Sequence, residues 1–522
     1  MMFFDRYIPT CLEILKVKYK KITPIPEINH LQMLCQLLEC LLVPANIPYE
    51  APKELYEQYF VFAAVWAFGS TLYQDGNIDY RVEFSKWFQN EFKNVKFPQG
   101  GTVFDYFIEK ESNTFTPWSE LIPKFELDSD SPLQSMMVHT GETVRLRFFI
   151  DLLMDMGHPI MLVGTSGCGK SALLTEKLNS LPEDFAVCSV PFNYYTTSEL
   201  LQRILEKPLE KKAGKNYAPP GNKRLVYCID DINMPMVDTY GTVQPHTLLR
   251  QHLDYGHWYD RAKHTLKEVH KVQYCAAMNP TAGSFTINPR LQRHFTVFAV
   301  NFPSMDSLNH IYTSLLGQHL RNPLLKYNPL IIKMTEQLVY TALQLHSKVS
   351  ATFMPTATKF HYIFNLRDLT NIFQGLLFTT GETIKTPMEL LRAWVHETQR
   401  VYGDRLLDEK DLEQLFKLQV DVIKKSFDDL DEMEVMAKPN VFCHFAKGIG
   451  EPRYLPIASW DELNVILIEG LKTYNELNAC MNLVLFEDAM NHVCRINRIL
   501  ECPRGNALLV GVGGSGKQSL AR

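Results

Sequence analysis

The sequence predicts an α/β fold on a mainly parallel sheet, and three observations predict it. Short apolar runs at 159–163, 185–190, 225–229, 272–277 and 296–300 alternate with stretches of helical periodicity. Runs hydrophobic at nearly every position suit parallel strands covered on both faces. The first run leads straight into Gly164-Thr165-Ser166-Gly167-Cys168-Gly169-Lys170-Ser171, which fits the G-x-x-x-x-G-K-[ST] spacing at every fixed position. The third run ends in two acids, Asp230 and Asp231.

The loop carries its own chemistry. Its glycines let the backbone turn several N–H groups toward a phosphate. The helix expected from Ala172 to Leu178 adds partial positive charge at its N-terminus. Lys170 is expected to reach the β and γ phosphates, and the Ser171 hydroxyl to sit on Mg²⁺. ATP or ADP with Mg²⁺ is therefore the expected ligand.

Bulk composition narrows the class without naming it. The 522 residues suffice for several domains. Hydrophobic residues make up 46% and charged residues 21%, an ordinary globular balance. A net charge of -5 gives no argument for nucleic acid or an anionic membrane surface. The 11 cysteines form no C-x-x-C pair, and several lie in apolar runs, so reduced buried thiols in a cytosolic compartment are expected. No signal peptide or membrane-length apolar run is apparent.

Taken in order, residues 1 to about 90 read as mostly helical. Leu31 to Leu38 has helical apolar spacing, and Pro44, Pro48 and Pro52 break it. Leu55 to Phe68 is a second helix, dense in aromatics and best read as core. Trp87 and Phe88 close another. From Asn90 to Ser129 the chain reads as a connector with short strands. A new unit begins near Ser131, with a helix from Thr143 to Met156 before the first strand. A helix from Thr197 to Leu205 opens on cap-competent residues. Residues 211–221 are basic and rich in breakers, and read as a solvated loop.

From about 304 the chain is again helical, with helices at 335–346, 366–377, 390–402 and 412–427. The acidic run 428–432 reads as a solvated face or loop. Helices at 460–476 and 483–500 follow. A strand at 507–510 then enters Gly511-Val512-Gly513-Gly514-Ser515-Gly516-Lys517. This second loop lies 347 residues after the first (511 minus 164), which reads as tandem nucleotide modules. Gly511, Gly516 and Lys517 are its phosphate-binding candidates. Gln518 stands where Ser or Thr normally meets Mg²⁺, and most of the expected sheet of that module is absent, so this copy is not expected to be a complete site.

Hydrolysis needs more than a phosphate cradle. Asp230 is assigned to Mg²⁺ and Asp231 to polarising the attacking water. Asn279 follows the fourth run and offers an amide donor and acceptor to the γ phosphate and the water. A structural turn before Pro280 is the rival for Asn279. Arg290 and Arg293 precede the fifth run. Each is either a cation for a neighbouring nucleotide or a surface salt bridge.

These motifs and longer strings together resemble the motor region of a dynein heavy chain, most closely an axonemal (ciliary or flagellar) one. The strings are 229–235 (Ile229 to Pro235), 238–241, 248–260, 288–295, 359–369 and 511–520. The last is similar to the loop opening the fourth AAA+ module of dyneins, glutamine included. The resemblance covers most of the chain and is weakest over 1–130.

The resemblance implies an AAA+ P-loop NTPase core with parallel sheet and helical lid, flanked by mostly helical partial modules. Residues 1–130 would be the lid and connector of a preceding module, 131–303 the α/β core of the third, 304–435 its lid and extension, and 436–522 the start of the fourth. In the family the first module is the main engine and the third is commonly regulatory. Asp231 stands where the family usually has Glu, which implies slower hydrolysis. Asn279 matches the γ-phosphate sensor, Arg293 (then Arg290) the finger directed at the neighbouring module, and Arg367 the lid arginine that reaches back over the phosphates. Without the resemblance, Arg367 reads equally as a helix-surface salt bridge.

The implied partners are the other ring modules and dynein intermediate and light chains, with microtubules reached only through regions absent here. Nucleic acid and membrane are not expected. The chain is expected not to walk by itself and to depend on partners for solubility. A nucleotide-stabilised structural segment and an unrelated AAA+ remodelling ATPase are the rival readings.

Overall fold

The computed structural model describes residues 2–76, 78–128, 136–280, 287–427, 429–450, 452–503 and 505–522. The boundary expected near 131 and the acid Asp428 lie outside the described residues. The chain forms two compact units, Met1–Lys124 with His139–Pro303, and Phe125–Val138 with Ser304–Arg522.

In the first unit, four helices come before the sheet: α1 (Met2–Val17), α2 (Glu27–Leu41), α3 (Lys53–Gly69) and α4 (Tyr80–Glu91). From Tyr59 to Gly69 helix α3 is apolar on all sides and buried, as a helical stretch without a polar face must be. Between Glu91 and the core lies a hairpin, Tyr106–Ile108 with Phe115–Pro117, the short strands expected of the connector.

The core follows as α5 (Gly141–Asp155), β1 (Ile160–Val163), α6 (Lys170–Asn179), β2 (Phe185–Pro191), α7 (Ser198–Glu206), β3 (Arg224–Asp230), α8 (Gln244–Tyr255), β4 (Val272–Met278), α9 (Pro289–Gln292) and β5 (Thr296–Ala299). All five expected strands form. They pair in parallel in the order β5-β1-β4-β3-β2. Every residue of β1 is fully buried, with β4 on one side and β5 on the other. This is the α/β core with a parallel sheet that the resemblance implies. The expected 211–221 loop is in part ordered: Glu210–Lys211 and Asn216–Ala218 pair antiparallel and join Leu266–Val269 and His257–Tyr259 in a small separate sheet. Pairing with a strand far along the chain overrides the local breakers there.

An edge strand leaves open N–H and C=O groups unless something covers them. On β5 the N-terminal segment does so. Ser70 O accepts from Ala299 N at 2.7 Å, and Ser70 Oγ donates to Val297 O at 2.9 Å. Arg81 Nη2 donates to Ala299 O at 2.6 Å, its Nε donates to Leu72 O at 3.1 Å, and Nη1 pairs with Glu142 at 3.2 Å. Aromatic packing backs this seam. Trp66 lies 4.5 Å from Phe149 by ring centroids, and Phe149 lies 5.6 Å from Phe298 on β5. Sequence modules and compact units are thus different partitions, because residues before the core share its hydrophobic interior.

The second unit is helical: α10 (Met305–Arg321), α11 (Thr335–Thr352), α12 (Leu366–Leu376), α13 (Pro387–Val401), α14 (Glu409–Ser426), α15 (Trp460–Leu477) and α16 (Glu487–Glu501), with short elements between. Its core runs from Val138 and Leu308 to Tyr454. At its centre Glu397 of α13 is fully buried. It accepts from Arg498 Nε at 2.9 Å, from the same guanidinium's Nη2, and from the Tyr454 hydroxyl. Gly375 of α12 packs on that carboxylate with no room for a Cβ. The strand expected at 507–510 does not form. A strand exists only by pairing, and here Leu508 and Val510 are almost wholly exposed with no neighbouring strand among the described residues.

Arg81 gives this account its test. Arg81→Met keeps the stem but leaves Ala299 O and Leu72 O without this donor, and leaves Glu142 with Arg145 alone. The expected loss is about 3 kcal/mol from the unfolding transition of the first unit, read as a lower denaturant midpoint. A midpoint equal to wild type would contradict the role of this seam.

Candidate nucleotide site

The loop begins where β1 runs out. A Cβ on Gly164 would stand 2.5 Å from Val300 O and 2.7 Å from Cys168 Sγ, so only glycine fits between the β5 exit and the loop's own thiol. Gly167 and Gly169 have φ of +84° and +95°, the left-handed region that glycine enters without strain. Gly169 then serves as the N-cap of α6, which begins at Lys170.

Lys170 is buried in this cradle. Its Nζ donates to Gly164 O at 2.7 Å and to Thr165 O at 2.9 Å, so the ammonium sits among the loop carbonyls. It also lies 3.7 Å from Cys168 Sγ. Burial pushes the Cys168 thiol above its usual range, although the Lys170 charge opposes the shift. Thr165 and Ser166 are exposed at the loop's outer turn.

The acids arrive from β3, two strands away. Ser171 Oγ donates to Asp230 at 3.1 and 3.3 Å, to the two carboxylate oxygens. One hydroxyl and one carboxylate thus share a corner of hard oxygens. Mg²⁺ typically binds through one or two carboxylates, waters and phosphate oxygens rather than a protein cage. Among the described residues no cluster of three or more His, Cys, Asp or Glu stands ready to hold a metal. The donor set therefore fits a nucleotide-borne Mg²⁺, which Ser171 and Asp230 would hold.

Asp231 is exposed with φ of +53°, a left-handed conformation that Asp tolerates better than most side chains. Its amide donates to Asp230 Oδ1 at 3.1 Å. The strand therefore breaks between the two acids, and their side chains leave it differently. The next residues return to the sheet, with Ile232 N donating to Ala277 O at 3.1 Å.

Asn279 lies one step past Met278, which pairs in register with Val163, so Asn279 and Gly164 leave adjacent strands together. Gly164 N donates to Met278 O at 3.2 Å. Asn233, buried and assigned no role by any motif, donates from Nδ2 to Asn279 O at 2.9 Å. It ties the turn after the acids to the end of β4. Its place in the string 229–235 is its signal in the sequence, although its partner is 46 residues away.

The arginines divide. Arg293 Nη2 donates to Asp254 Oδ1 at 2.6 Å, so the salt-bridge reading describes its contact in this structure. Arg290 is exposed and has no carboxylate partner among the described residues. Arg367 is in the second unit, exposed at the first turn of α12, where its amide is capped by Asn365.

The second loop copies the first locally. Gly514 and Gly516 have φ of +81° and +79°, and Lys517 Nζ donates to Gly511 O and, at 2.7 Å, to Val512 O. No β3-like acid meets it among the described residues, and its lysine is only half-buried, whereas Lys170 is buried.

Comparison with known families matches residues 125–303 to a P-loop containing dynein motor region and 338–437 to an AAA+ lid domain. Residues 1–120 match a dynein heavy chain AAA lid domain, and 481–522 a P-loop containing dynein motor region D4. The chain is 63% identical over 521 residues to a ciliary dynein beta chain of Heliocidaris crassispina, with 100% of this chain covered. It is 60% identical over 523 residues to dynein axonemal heavy chain 17 of Homo sapiens, and 48% identical over 524 residues to a flagellar outer arm dynein alpha chain of Chlamydomonas reinhardtii. It spans 12% of the length of each of these relatives.

Two substitutions test the geometry. Lys170→Ala is expected to weaken binding of a fluorescent ADP by at least about 100-fold, the scale of two charge-assisted bonds. Ser171→Ala is expected to keep metal-free binding and lose most of the Mg²⁺-dependent gain. Fluorescence titration with and without Mg²⁺ reads both, and an unchanged Mg²⁺ dependence in Ser171→Ala would contradict the assignment.

Proposed function

This chain belongs to the axonemal dynein heavy chains, and from that membership we propose that it is a nucleotide-responsive element of the motor ring. Its first loop binds ATP or ADP with Mg²⁺ and hydrolyses ATP slowly. The observation that carries this reading is the meeting of Ser171 with Asp230 beside a buried Lys170.

Mg²⁺ brought with the nucleotide would be held by Ser171 and Asp230 and would supply charge neutralisation at the phosphates. The chain supplies the rest. Lys170 exchanges its loop carbonyls for phosphate oxygens. Backbone N–H groups at the start of α6 point at the same anion. Asp231 accepts a hydrogen bond from the attacking water and orients it. Asn279, steadied through Asn233, reads the γ phosphate from the next strand. Arg367 is the proposed lid arginine for these phosphates, and the segment from Arg290 to Arg293 is the proposed finger for the nucleotide of a neighbouring module.

Slow hydrolysis follows from Asp231. Its carboxylate is one methylene shorter than Glu, and it starts from a left-handed residue outside the strand. Misplacement by about 1 Å can cost ~100-fold in rate. Such a site holds its nucleotide long enough to act as a regulatory state of the ring. Minus-end-directed movement on microtubules, ciliary beating, intermediate and light chain partners and residence in the axoneme are proposed for the heavy chain as a whole, in keeping with the ciliary and flagellar relatives. A nucleotide-stabilised structural role is the second reading, favoured by the same exposed Asp231.

Single-turnover hydrolysis by the 522-residue chain separates them. Asp231→Glu is expected to speed the slow wild-type step roughly 10- to 100-fold. Fast wild-type turnover that Asp231→Glu leaves unimproved would sink the slow-site reading. Firm ATP binding with no turnover in either form would favour the structural one.

A further inference from the structure

Asp254, in the last turn of α8, sits among cations. Its Oδ1 accepts from Arg293 at 2.6 Å and lies 2.9 Å from His294 Nε2. Its Oδ2 is 3.9 Å from Arg250 Nε one turn earlier, too far for a hydrogen bond. Only 14% of the Asp254 side chain is exposed, so water screens these contacts less than on an open surface. Burial works against its charge, yet the Arg293 and His294 contacts outweigh it and hold the carboxyl below the usual range.

Two adjoining cavities open along α8 and α9. The larger, about 510 Å³, is lined by Arg250 and Arg290 beside His246 and Thr247. The smaller, about 390 Å³, is lined by Arg250, Arg290 and Arg261, with Ser198 and Asp254 at its wall. Arg250 and Arg290 thus face both cavities, and Arg293 lines neither. A guanidinium recognises phosphate oxygens through paired N–H groups, but it must be free to turn them. Arg293 has to abandon a short charge-assisted bond first.

We infer that Asp254 is a positioning residue that restrains Arg293, leaving Arg250 and Arg290 as the cations that meet the triphosphate of a neighbouring module. This deepens the proposed role of the face between Arg290 and Arg293, and rests on it. It also adds Arg250, which no motif singles out, to that face. Arg293 is then a reserve cation, released only when an anion competes with Asp254.

The test uses the full 522-residue chain with Lys170→Ala, so that the first loop is silent, and inorganic tripolyphosphate as the probe. Phosphorus NMR titration reads its affinity. Arg250→Ala and Arg290→Ala are each expected to weaken binding about tenfold, the scale of one charge-assisted bond. Arg293→Ala is expected to change it less than about twofold. Asp254→Asn is expected to tighten binding severalfold, and adding Arg293→Ala to it should remove that gain. A gain that survives in the double variant means that Asp254 acts through its charge alone, and overturns the positioning role. Equal costs for Arg293→Ala and Arg290→Ala also overturn it. Binding indifferent to every variant is an adventitious ion only, and overturns the inference as well. Should Asp254→Asn fail to fold, the unequal costs at 290 and 293 still decide. Fluorescent ATP binding to the chain with Lys170 intact is measured alongside. Its loss with the tripolyphosphate pattern intact counts against the first-loop reading and not against Asp254.

Discussion

The site depends on an interior strand that cannot move sideways. β1 is fully buried, pairs in register with both β4 and β5, and must release the chain at Gly164, where no Cβ fits. The position of the phosphate loop is therefore set by sheet pairing, while its shape is set by its glycines. Because Asp230 ends β3 and Asn279 directly follows β4 in the same sheet, one register brings acid, amide and loop to one edge. In open α/β sheets the carboxyl ends of the strands are where ligands bind.

That sheet is anchored from outside the core. Ser70 and Arg81 cover the free edge of β5, and the Trp66–Phe149–Phe298 cluster fills the space behind it. The segment matching a dynein lid domain is thus built into the same compact unit as the following P-loop region. The second unit repeats the principle with a polar seam: Glu397, Arg498 and Tyr454 join α13 to α16 and to the chain between them. Removing one partner of such a buried pair strands a charge in a dry interior, which costs more than the pair contributes when intact.

The five strands were legible because buried parallel strands are apolar at almost every position and turn residues bound them. The first loop was legible from spacing alone, and the axonemal dynein resemblance supplied the module to which it belongs. The strand expected at 507–510 shows where this stops. Its loop, with Gly514, Gly516 and Lys517, takes nearly the same local form as the first, since that form is written in adjacent residues. The strand needs a partner, which local sequence does not provide. Asn233, Arg81 and Asp254 were missed for a related reason: each acts on a group tens to hundreds of residues away. Arg293 carried the right charge in the right motif, but its tie to Asp254 is a tertiary fact.

The central claim is that the loop at 164–171, and not the similar loop at 511–517, is a complete nucleotide site. Hydrogen exchange of the whole chain with and without Mg-ATP tests it most directly. The account predicts slower exchange at 164–171, 230–233 and 278–279, with 511–517 unchanged. Equal protection of both loops, or none at the first, would contradict it.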